Sequence, residues 1–363
     1  MFWMRLLVLL LTLSLSPSFS LSQDPEWPKD VPKDWAKPDL AKESAKFPGT
    51  LRIEFAGEKA KYVILHTTSG KAIIYESKDW TGNANDKFLL TQAYPCTGTT
   101  TYWRNYAGEI KKLGETDKHK WVEIKERPCT VTPDGNLIIV AKNDRTVQIW
   151  ETGKPTEPKQ EFDAHSRGFM DLFVWGKQHL VTLASTEVRV WNLAKLTDKP
   201  KEAIFGNQLR SFALAKPDNR YVALNFGKFV HALDLSLMKG KDLSEDLEAG
   251  GRCEFADDGR SLLVLTAAKT ATVYQSAGEW KELLKLGDAE TKVTTAALSP
   301  TGTYLAWFDL KGTMHFTHVA SRFEVAKYEM PGFKPGFVTW HPNGNEIYIT
   351  TENGSAYRTV MKK

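Results

Sequence analysis

The sequence predicts an all-β protein in which small antiparallel sheets repeat along the chain and pack side by side around one axis. Turn-forming residues recur about every 40 residues, which is the period of a four-stranded repeat. Short β runs lie between these turns, and each repeat is too small to bury its own faces without a neighbour. The recurring turn residues are Gly57, Gly98, Gly135, Gly176, Asn219, Gly259, Gly302 and Gly344.

Each repeat consists of short β runs separated by turns. In the repeat that starts at Cys129, the first run ends in a Pro-Asp-Gly turn, the second is apolar and the third ends at Trp150. Proline presets the backbone of a turn, and glycine accepts the positive φ that the turn needs. An uninterrupted apolar run is typical of a strand that is covered on both faces. The interval from turn glycine to closing aromatic is the same in three repeats: Gly135 to Trp150, Gly176 to Trp191 and Gly259 to Tyr274.

Residues from about 50 to 360 resemble the WD40 repeat family. The best match to its motif is Asn143-Asp-Arg-Thr-Val-Gln-Ile-Trp150, and Phe162-Asp-Ala-His165-Ser166 resembles the loop histidine of that family. The repeats are divergent, because only Trp150 and Trp191 stand at the family's Trp position. In the repeat of His165, Thr186 and Glu187 stand where the family has a turn Asp. The resemblance implies a WD40-like β-propeller of four-stranded blades.

The number of blades stays open at seven or eight. The repeat around Gly98 is the weakest, with residues 100–103 and 109–113 as its candidate strands, and counting it gives eight. The last repeat ends after its third strand near Val360, so its outer strand must come from another part of the chain. We expect residues 38–50 to supply this strand, because closure of the ring leaves no sheet edge open.

Residues 1–22 have the pattern of a secretory signal peptide. Arg5 precedes an apolar run from Leu6 to Leu15, and Pro17 and small residues follow. A retained signal anchor is the alternative, because no charge lies between Arg5 and Asp24. We expect the chain to be secreted or in the lumen of the endoplasmic reticulum, or to be a single-pass protein of that membrane. Residues 23–37, rich in Pro, Trp and Lys, predict an extended segment before a single domain over residues 38–363.

Charge and cysteine content exclude several classes of protein. The net charge of +4 over 363 residues gives no general case for nucleic-acid binding. The three cysteines, Cys96, Cys129 and Cys253, are too few for a disulfide framework. Cys129 and Cys253 occupy one shared position of their repeats, where other repeats have apolar residues, so we expect buried core thiols there. Whether Cys96 forms a disulfide stays open.

The sequence contains none of the motifs that mark the common enzyme classes, such as a nucleophile elbow, a zinc-protease helix or a phosphate-binding loop. His315 and His318 are separated by an odd number of residues, which sends them to opposite faces of a strand. They therefore do not predict a shared metal site. We expect no catalytic residue, no metal and no cofactor.

A basic residue precedes the first strand of six consecutive repeats. In a propeller these positions lie at one mouth of the central channel, where converging positive charge attracts an acidic partner. The alternative is that ordinary basic content produces this pattern by chance. We name these residues the basic rim: Arg127, Arg167, Arg210, Arg252, Lys292 and Lys334.

Together these features predict a monomeric, non-enzymatic protein-binding scaffold of the secretory pathway. One alternative is a secreted propeller enzyme whose site lies at the channel mouth. Another is a membrane-anchored adaptor similar to the transducin-beta-like WD proteins of the endoplasmic reticulum. Asn353, in the sequon Asn353-Gly-Ser355, is a candidate glycosylation site.

Overall fold

A computed structural model describes most of the chain. The described residues are 43–46, 50–56, 60–67, 72–76, 90–98, 102–104, 110–112, 128–152, 154, 156–243, 247, 251–276, 279–288, 290–330, 332–353 and 355–360. The predicted signal peptide, the segment 23–37 and Arg127 lie outside these ranges. All regular elements of the described residues are β-strands, and no helix among them is long and apolar enough to cross a membrane.

Thirty strands form seven sheets within the described residues. One sheet has six strands: β2 (Thr50–Ala56), β3 (Tyr62–Thr67), β4 (Ala72–Glu76), β5 (Leu90–Pro95), β6 (Tyr102–Arg104) and β7 (Ile110–Lys112). Five sheets of four strands each follow along the chain. The first two consist of β8 (Cys129–Val131), β9 (Leu137–Ala141), β10 (Thr146–Glu151) and β11 (Gln160–Asp163), and of β12 (Phe169–Trp175), β13 (His179–Ala184), β14 (Glu187–Asn192) and β15 (Lys201–Ile204). The other three consist of β16 (Ser211–Leu214), β17 (Tyr221–Asn225), β18 (Val230–Asp234) and β19 (Lys239–Leu243), of β20 (Arg252–Phe255), β21 (Ser261–Leu265), β22 (Ala271–Gln275) and β23 (Lys281–Leu286), and of β24 (Val293–Leu298), β25 (Tyr304–Asp309), β26 (Met314–His318) and β27 (Phe323–Tyr328). The last sheet consists of β28 (Pro335–Trp340), β29 (Glu346–Thr351), β30 (Ser355–Val360) and β1 (Glu43–Lys46).

The predicted turn residues have the backbone that the repeat requires. Seven of them have positive φ, and the eighth, Gly57, lies outside the described residues. Asn219 takes this conformation at φ 59° without being glycine, which asparagine tolerates better than most residues. The second strand of each repeat is largely buried, as in β21, whereas outer strands such as β19 are mostly exposed. Apolar runs in the sequence therefore correspond to strands in the middle of a sheet, and polar runs correspond to strands at its outer edge.

The ring closes through the two ends of the domain. Strand β1 pairs antiparallel with β30, and the register places Ala45 opposite Ala356 and Lys46 opposite Ser355. Strand β2, the first of the six-stranded sheet, packs against β28 and β29 of the last sheet. The predicted contribution of residues 38–50 to the last sheet is therefore confirmed.

The repeat around Gly98 has strands of its own but shares one with the repeat before it. Strand β5 pairs with β4 through Leu90 and Ala93 and with β6 through Tyr94 and Pro95. Two repeats thus merge into the six-stranded sheet, because β5 ends one and begins the other. This merging explains why the number of blades, seven or eight, could not be decided from the sequence.

The core lies between neighbouring sheets, as expected when each repeat buries its faces against the next. One cluster joins β25 and β26 to β28 and β29 around Phe308, Phe316 and Trp340, and similar clusters follow around the ring. Inner strands of all the sheets line a central cavity of about 720 Å³.

Candidate functional site

The two mouths of the central channel differ because all inner strands run in the same direction. Strands β2, β8, β12, β16, β20, β24 and β28 line the cavity, and Cys96–Gly98, which follow β5, line it in the merged repeat. We call the side where these strands begin the start face, and the side where they end the turn face. The turns between second and third strands also lie on the start face, since successive strands reverse direction.

The described members of the basic rim lie on the start face. Arg252 is the first residue of β20, and the other four precede their inner strands by one or two positions. Arg167, Arg210, Lys292 and Lys334 are exposed, whereas Arg252 is half-buried. Arg127, the sixth member, lies outside the described residues. The fold therefore brings five of the six predicted positions to one mouth of the channel.

Arg252 is engaged in packing across three inner strands. Its Nη2 atom donates hydrogen bonds to the Ala296 carbonyl oxygen at 2.9 Å and to the Thr295 hydroxyl at 3.3 Å. Its guanidinium also lies 4.1 Å from the centroid of the Phe337 ring, within the range of a cation–π contact. Arg252 thus connects β20 to β24 and β28, and its charge is already in use within the protein.

Arg210 has a different environment. Its backbone N–H donates to the Asn225 carbonyl, and its exposed side chain lies over Gly227. A Cβ atom at Gly227 would come within 2.8 Å of the Arg210 guanidinium carbon, and Gly227 has φ +87°. Glycine at this turn therefore allows the cationic group to rest on the backbone at the start face.

Three further lysines extend the positive surface. Lys228, Lys269 and Lys311 are exposed in turns between the second and third strands of successive sheets, on the same face as the basic rim. Sequence reasoning missed them because it considered only the residues before each inner strand. The antiparallel order of each sheet was the signal that could have found them, since it places both kinds of turn on one face.

Acidic residues also lie on the start face, beside several of the basic ones. Exposed Asp288 and Glu290 lie close in sequence to Lys292, and exposed Glu329 precedes Lys334. Near Arg167 and Arg210, Glu187 is occupied by contacts with His165 at 2.7 Å and Arg189 at 3.0 Å. Exposed Asp144 lies close to Arg167, because its carbonyl accepts a hydrogen bond from the Phe169 N–H at 3.2 Å. Carboxylates therefore accompany the basic side chains at several points of the described start face.

Several carboxylates line the cavity toward the turn face. Glu54, Glu254 and Asp257 line the cavity there, together with Lys216. The Lys216 Nζ atom lies 3.2 Å from a Glu54 oxygen. Burial acts to lower the pKa of Lys216, but the carboxylates of Glu54, Asp257 and Glu254 outweigh it and raise this pKa. Burial also raises the pKa of Asp257, although Lys216 opposes the change.

These cavity groups bear on the enzyme alternative. Four carboxylates line the cavity, since Asp218 joins the three named above, and Lys112 is a second amine beside Lys216. Such groups could exchange protons with a ligand, but no histidine is among the described residues that line the cavity. The described residues also contain no group of three or more potential ligands that could hold a metal ion. His315 contacts Glu324 and Asp309, while His318 contacts Ser321, so the two histidines have separate surroundings.

A segment of the weak repeat, Cys96–Gly98, reaches across to other sheets at the channel. The Thr97 hydroxyl donates to Asp171 at 2.8 Å, and the Asn219 side-chain amide donates to the Gly98 carbonyl at 3.0 Å. Burial raises the pKa of Asp171 to about 6, although hydrogen bonds from Thr97 and the Leu172 N–H act in the other direction. The weak repeat is therefore held in the ring by polar contacts.

The hydrogen-bonded set of the WD40 resemblance is partly assembled in one sheet. Trp191 Nε1 donates to the Thr182 hydroxyl at 3.0 Å, and His165 Nδ1 lies 2.7 Å from a Glu187 oxygen. Glu187 thus takes the place that the family gives to Asp, with its longer side chain reaching the histidine. His165 is buried and linked to the fold by this contact.

Asn353 lies at the start face, in the turn between β29 and β30. Its side chain is exposed, and it accepts a hydrogen bond from the Thr351 hydroxyl. The neighbouring Glu352 N–H donates to the Lys334 carbonyl at 3.2 Å, so the sequon adjoins the basic rim. Its glycosylation stays a prediction, for which exposure is a necessary condition.

Comparisons with known proteins support the fold alone. No protein-family model and no curated protein matches the chain. Among solved structures, the chain is similar to the β-propeller domain of Cps50 (Swd1) from Myceliophteria thermophila. The TM-score is 0.50, the sequence identity is 11%, and the match covers 87% of this chain and 98% of that domain. The predicted β-propeller fold is thereby confirmed.

Proposed function

We propose that this propeller is a non-enzymatic scaffold that binds an acidic protein partner on its start face. The observation that carries the proposal is the set of exposed basic side chains at the starts of successive inner strands, with exposed lysines in the turns beside them. The ring fixes the backbone positions of these groups, so a partner can meet several charges without ordering the backbone that carries them. Complementary charge raises the association rate and selects against partners of like charge.

We centre the partner site on Arg167, Arg210 and Lys228, because these three exposed basic residues lie on two consecutive sheets at the start face. Arg252 supports this surface from within, because its guanidinium is bound to Ala296 and Phe337. Exposed ion pairs contribute about 0.2–1 kcal/mol each. Affinity therefore depends on several contacts acting together, and it decreases as salt concentration rises.

We further propose that the protein acts as a monomer in the secretory pathway. Residues 1–22 support this location, since their charged start, apolar run and small residues have the pattern of a cleaved signal. The chain is then secreted or lumenal, and a retained anchor would leave it tethered to the membrane of the endoplasmic reticulum. N-terminal sequencing of the mature protein distinguishes the two cases, because cleavage removes the apolar run and retention preserves it.

Charge reversal on the start face tests the binding proposal. A variant with Arg167→Glu, Arg210→Glu and Lys228→Glu is compared with the wild type for binding to a labelled peptide of consecutive glutamates. We expect a loss of affinity of at least about 10-fold, since each change removes an attraction and adds a repulsion. Affinity of the wild type is also expected to fall between low salt and physiological salt.

The matched control places the same charge changes on the turn face. Lys177, Lys195 and Arg260 are exposed in turns at the opposite side of the disc. Their replacement by glutamate leaves the start face intact while changing the net charge equally. Equal losses of affinity in both triple variants would show that net charge alone governs binding, and the proposed site would be wrong.

A natural partner is identified by the same pair of variants. Proteins captured from the secretory fraction by the wild type and the control variant, but not by the start-face variant, are the candidates. An acidic surface on such a protein, together with direct salt-dependent binding of the purified pair, would support the proposal. Partners that bind all three forms equally would contradict it.

A further inference from the structure

Two of the three thiols of the chain face each other between neighbouring repeats. The Sγ atoms of Cys96 and Cys129 are 3.4 Å apart, and the two residues are 0% and 3% exposed. Cys96 immediately follows β5, whereas Cys129 is the first residue of β8. The pair therefore lies where the weak repeat meets the next sheet.

We infer that Cys96 and Cys129 form a disulfide that fastens the weak repeat to β8. A sulfur–sulfur bond of about 2.05 Å requires each sulfur to move by roughly 0.7 Å from its present position. Rotation about the Cα–Cβ bonds is the movement that brings the two sulfurs together. The inference concerns covalent structure, and it is independent of the binding proposed for the start face.

The backbone around the two cysteines is already aligned for this bond. The Thr97 N–H donates to the Cys129 carbonyl at 2.9 Å, and the Thr130 hydroxyl donates to the Thr97 carbonyl at 2.7 Å. These bonds hold the two chains side by side, as in neighbouring strands, where facing Cβ atoms lie about 4.5–5.5 Å apart, close to the roughly 3.5–4.5 Å that a disulfide spans. The two side chains consequently meet because of the fold, and the bond requires only the movement of the sulfurs described above.

The bond supplies what the weak repeat lacks. Strands β6 and β7 have three residues each, shorter than most strands of the other sheets. A disulfide that joins positions 33 residues apart along the chain reduces the conformational freedom of the unfolded state. It would stabilise the ring where sheet pairing contributes least.

Oxidation requires a disulfide oxidant, and oxidised glutathione is the class we name. The thiolate of one cysteine attacks a sulfur of oxidised glutathione, which forms a mixed disulfide and releases one reduced glutathione. The second thiolate then attacks the protein sulfur of that mixed disulfide, which forms the Cys96–Cys129 bond and releases a second reduced glutathione. The two electrons pass from the thiols to glutathione, and so do the two thiol protons. Because both sulfurs are buried in the folded protein, the reaction takes place during folding.

Cys253 is the internal control. It occupies the position in β20 that corresponds to Cys129 in β8, and it is half-buried. The chain has three cysteines, so pairing of Cys96 with Cys129 leaves Cys253 as a thiol. Oxidised chains must therefore differ from reduced ones at two positions and not at the third.

The first experiment counts thiols in the full chain after refolding with oxidised glutathione. The protein is denatured and alkylated without reductant, and its mass and peptides are then measured. We expect one alkyl group per chain, on Cys253, and three after reduction. Three alkyl groups without reductant, or a bond to Cys253, would overturn the inference.

The second experiment measures thermal unfolding of the wild type and the variants Cys96→Ser, Cys129→Ser and Cys253→Ser. In oxidising buffer we expect the first two variants to unfold about 5 °C below the wild type, and the Cys96→Ser/Cys129→Ser double variant to match the single ones. Reductant should lower the wild-type midpoint by a similar amount, while Cys253→Ser retains the sensitivity to reductant. A wild-type midpoint that does not respond to reductant would contradict a stabilising disulfide.

Discussion

Replacement of Arg252 by methionine tests whether one member of the basic rim serves the fold. Methionine keeps an unbranched apolar stem and removes the guanidinium, so the lost contacts are those made by the charged group. These are the hydrogen bond to the Ala296 carbonyl at 2.9 Å, the weaker one to Thr295 and the contact with the Phe337 ring at 4.1 Å.

The expected cost of Arg252→Met follows from these contacts. A hydrogen bond from a charged donor contributes about 1.5–3 kcal/mol, and a partly exposed cation–π contact about 0.5–1 kcal/mol. We expect the free energy of unfolding to fall by roughly 2–4 kcal/mol, because Arg252 is half-buried and joins three inner strands. Arg252→Lys should recover only part of this loss, since lysine keeps the charge but lacks the planar fork of donors.

Urea unfolding followed by tryptophan fluorescence measures this change, with Arg167→Met as the matched control. Arg167 is exposed at the same face, so its replacement should change stability by less than about 0.5 kcal/mol. A second control combines Arg252→Met with Phe337→Leu, for which the two losses should not add. Equal stability of the Arg252→Met and Arg167→Met variants would refute the structural role.

Two further predictions concern the contacts of the Cys96–Gly98 segment. Asn219→Ala removes the hydrogen bonds to the Gly98 and Val174 carbonyls, both 3.0 Å, and places alanine at positive φ, so we expect a loss of about 2–4 kcal/mol in thermal unfolding. Asn219→Gly should lose less, because glycine accepts this backbone, and equal losses would contradict the assignment of strain. Burial raises the pKa of Asp171 to about 6 in the folded state, above the ordinary value for an aspartate of about 3.9. The contribution of this carboxyl to stability is therefore greatest at low pH and declines as the pH rises through about 6. The stability of Asp171→Asn relative to the wild type should therefore increase from pH 4 to pH 7, and a constant difference would contradict the raised pKa.

The fold was predictable because its signals are local and repeated. The turn between the first two strands of a repeat needs a residue that accepts positive φ, such as Gly135 or Gly259. A suitable residue therefore recurs once per repeat in the sequence. Closure by residues 38–50 followed from counting strands, since the last repeat lacked one. The merging of two repeats through β5 did not follow, because pairing on both edges of one strand depends on contacts that the sequence pattern does not specify.

The candidate site was only partly predictable. The position of each rim residue follows from its place before an inner strand, but the sequence does not distinguish exposed Arg167 from Arg252, which bonds to the neighbouring sheets. That difference arises from Phe337 and Ala296, which lie far away along the chain. The sequence placed Thr186 and Glu187 where the WD40 family has Asp, but it did not show that Glu187 reaches His165, because that contact depends on the longer side chain of glutamate.

The pairing of β1 with β30 sets the order in which the protein can be made. Among the described strands β1 leaves the ribosome first and β30 leaves last. Residues 43–46 cannot pair with β30 until the chain has been synthesised through residue 360, so this sheet is the last of the seven that can be completed. If the start of the chain is retained in a membrane, the last-formed edge of the disc is also the edge tied to the bilayer. The blade that is completed last would then also be the blade that is attached to the membrane.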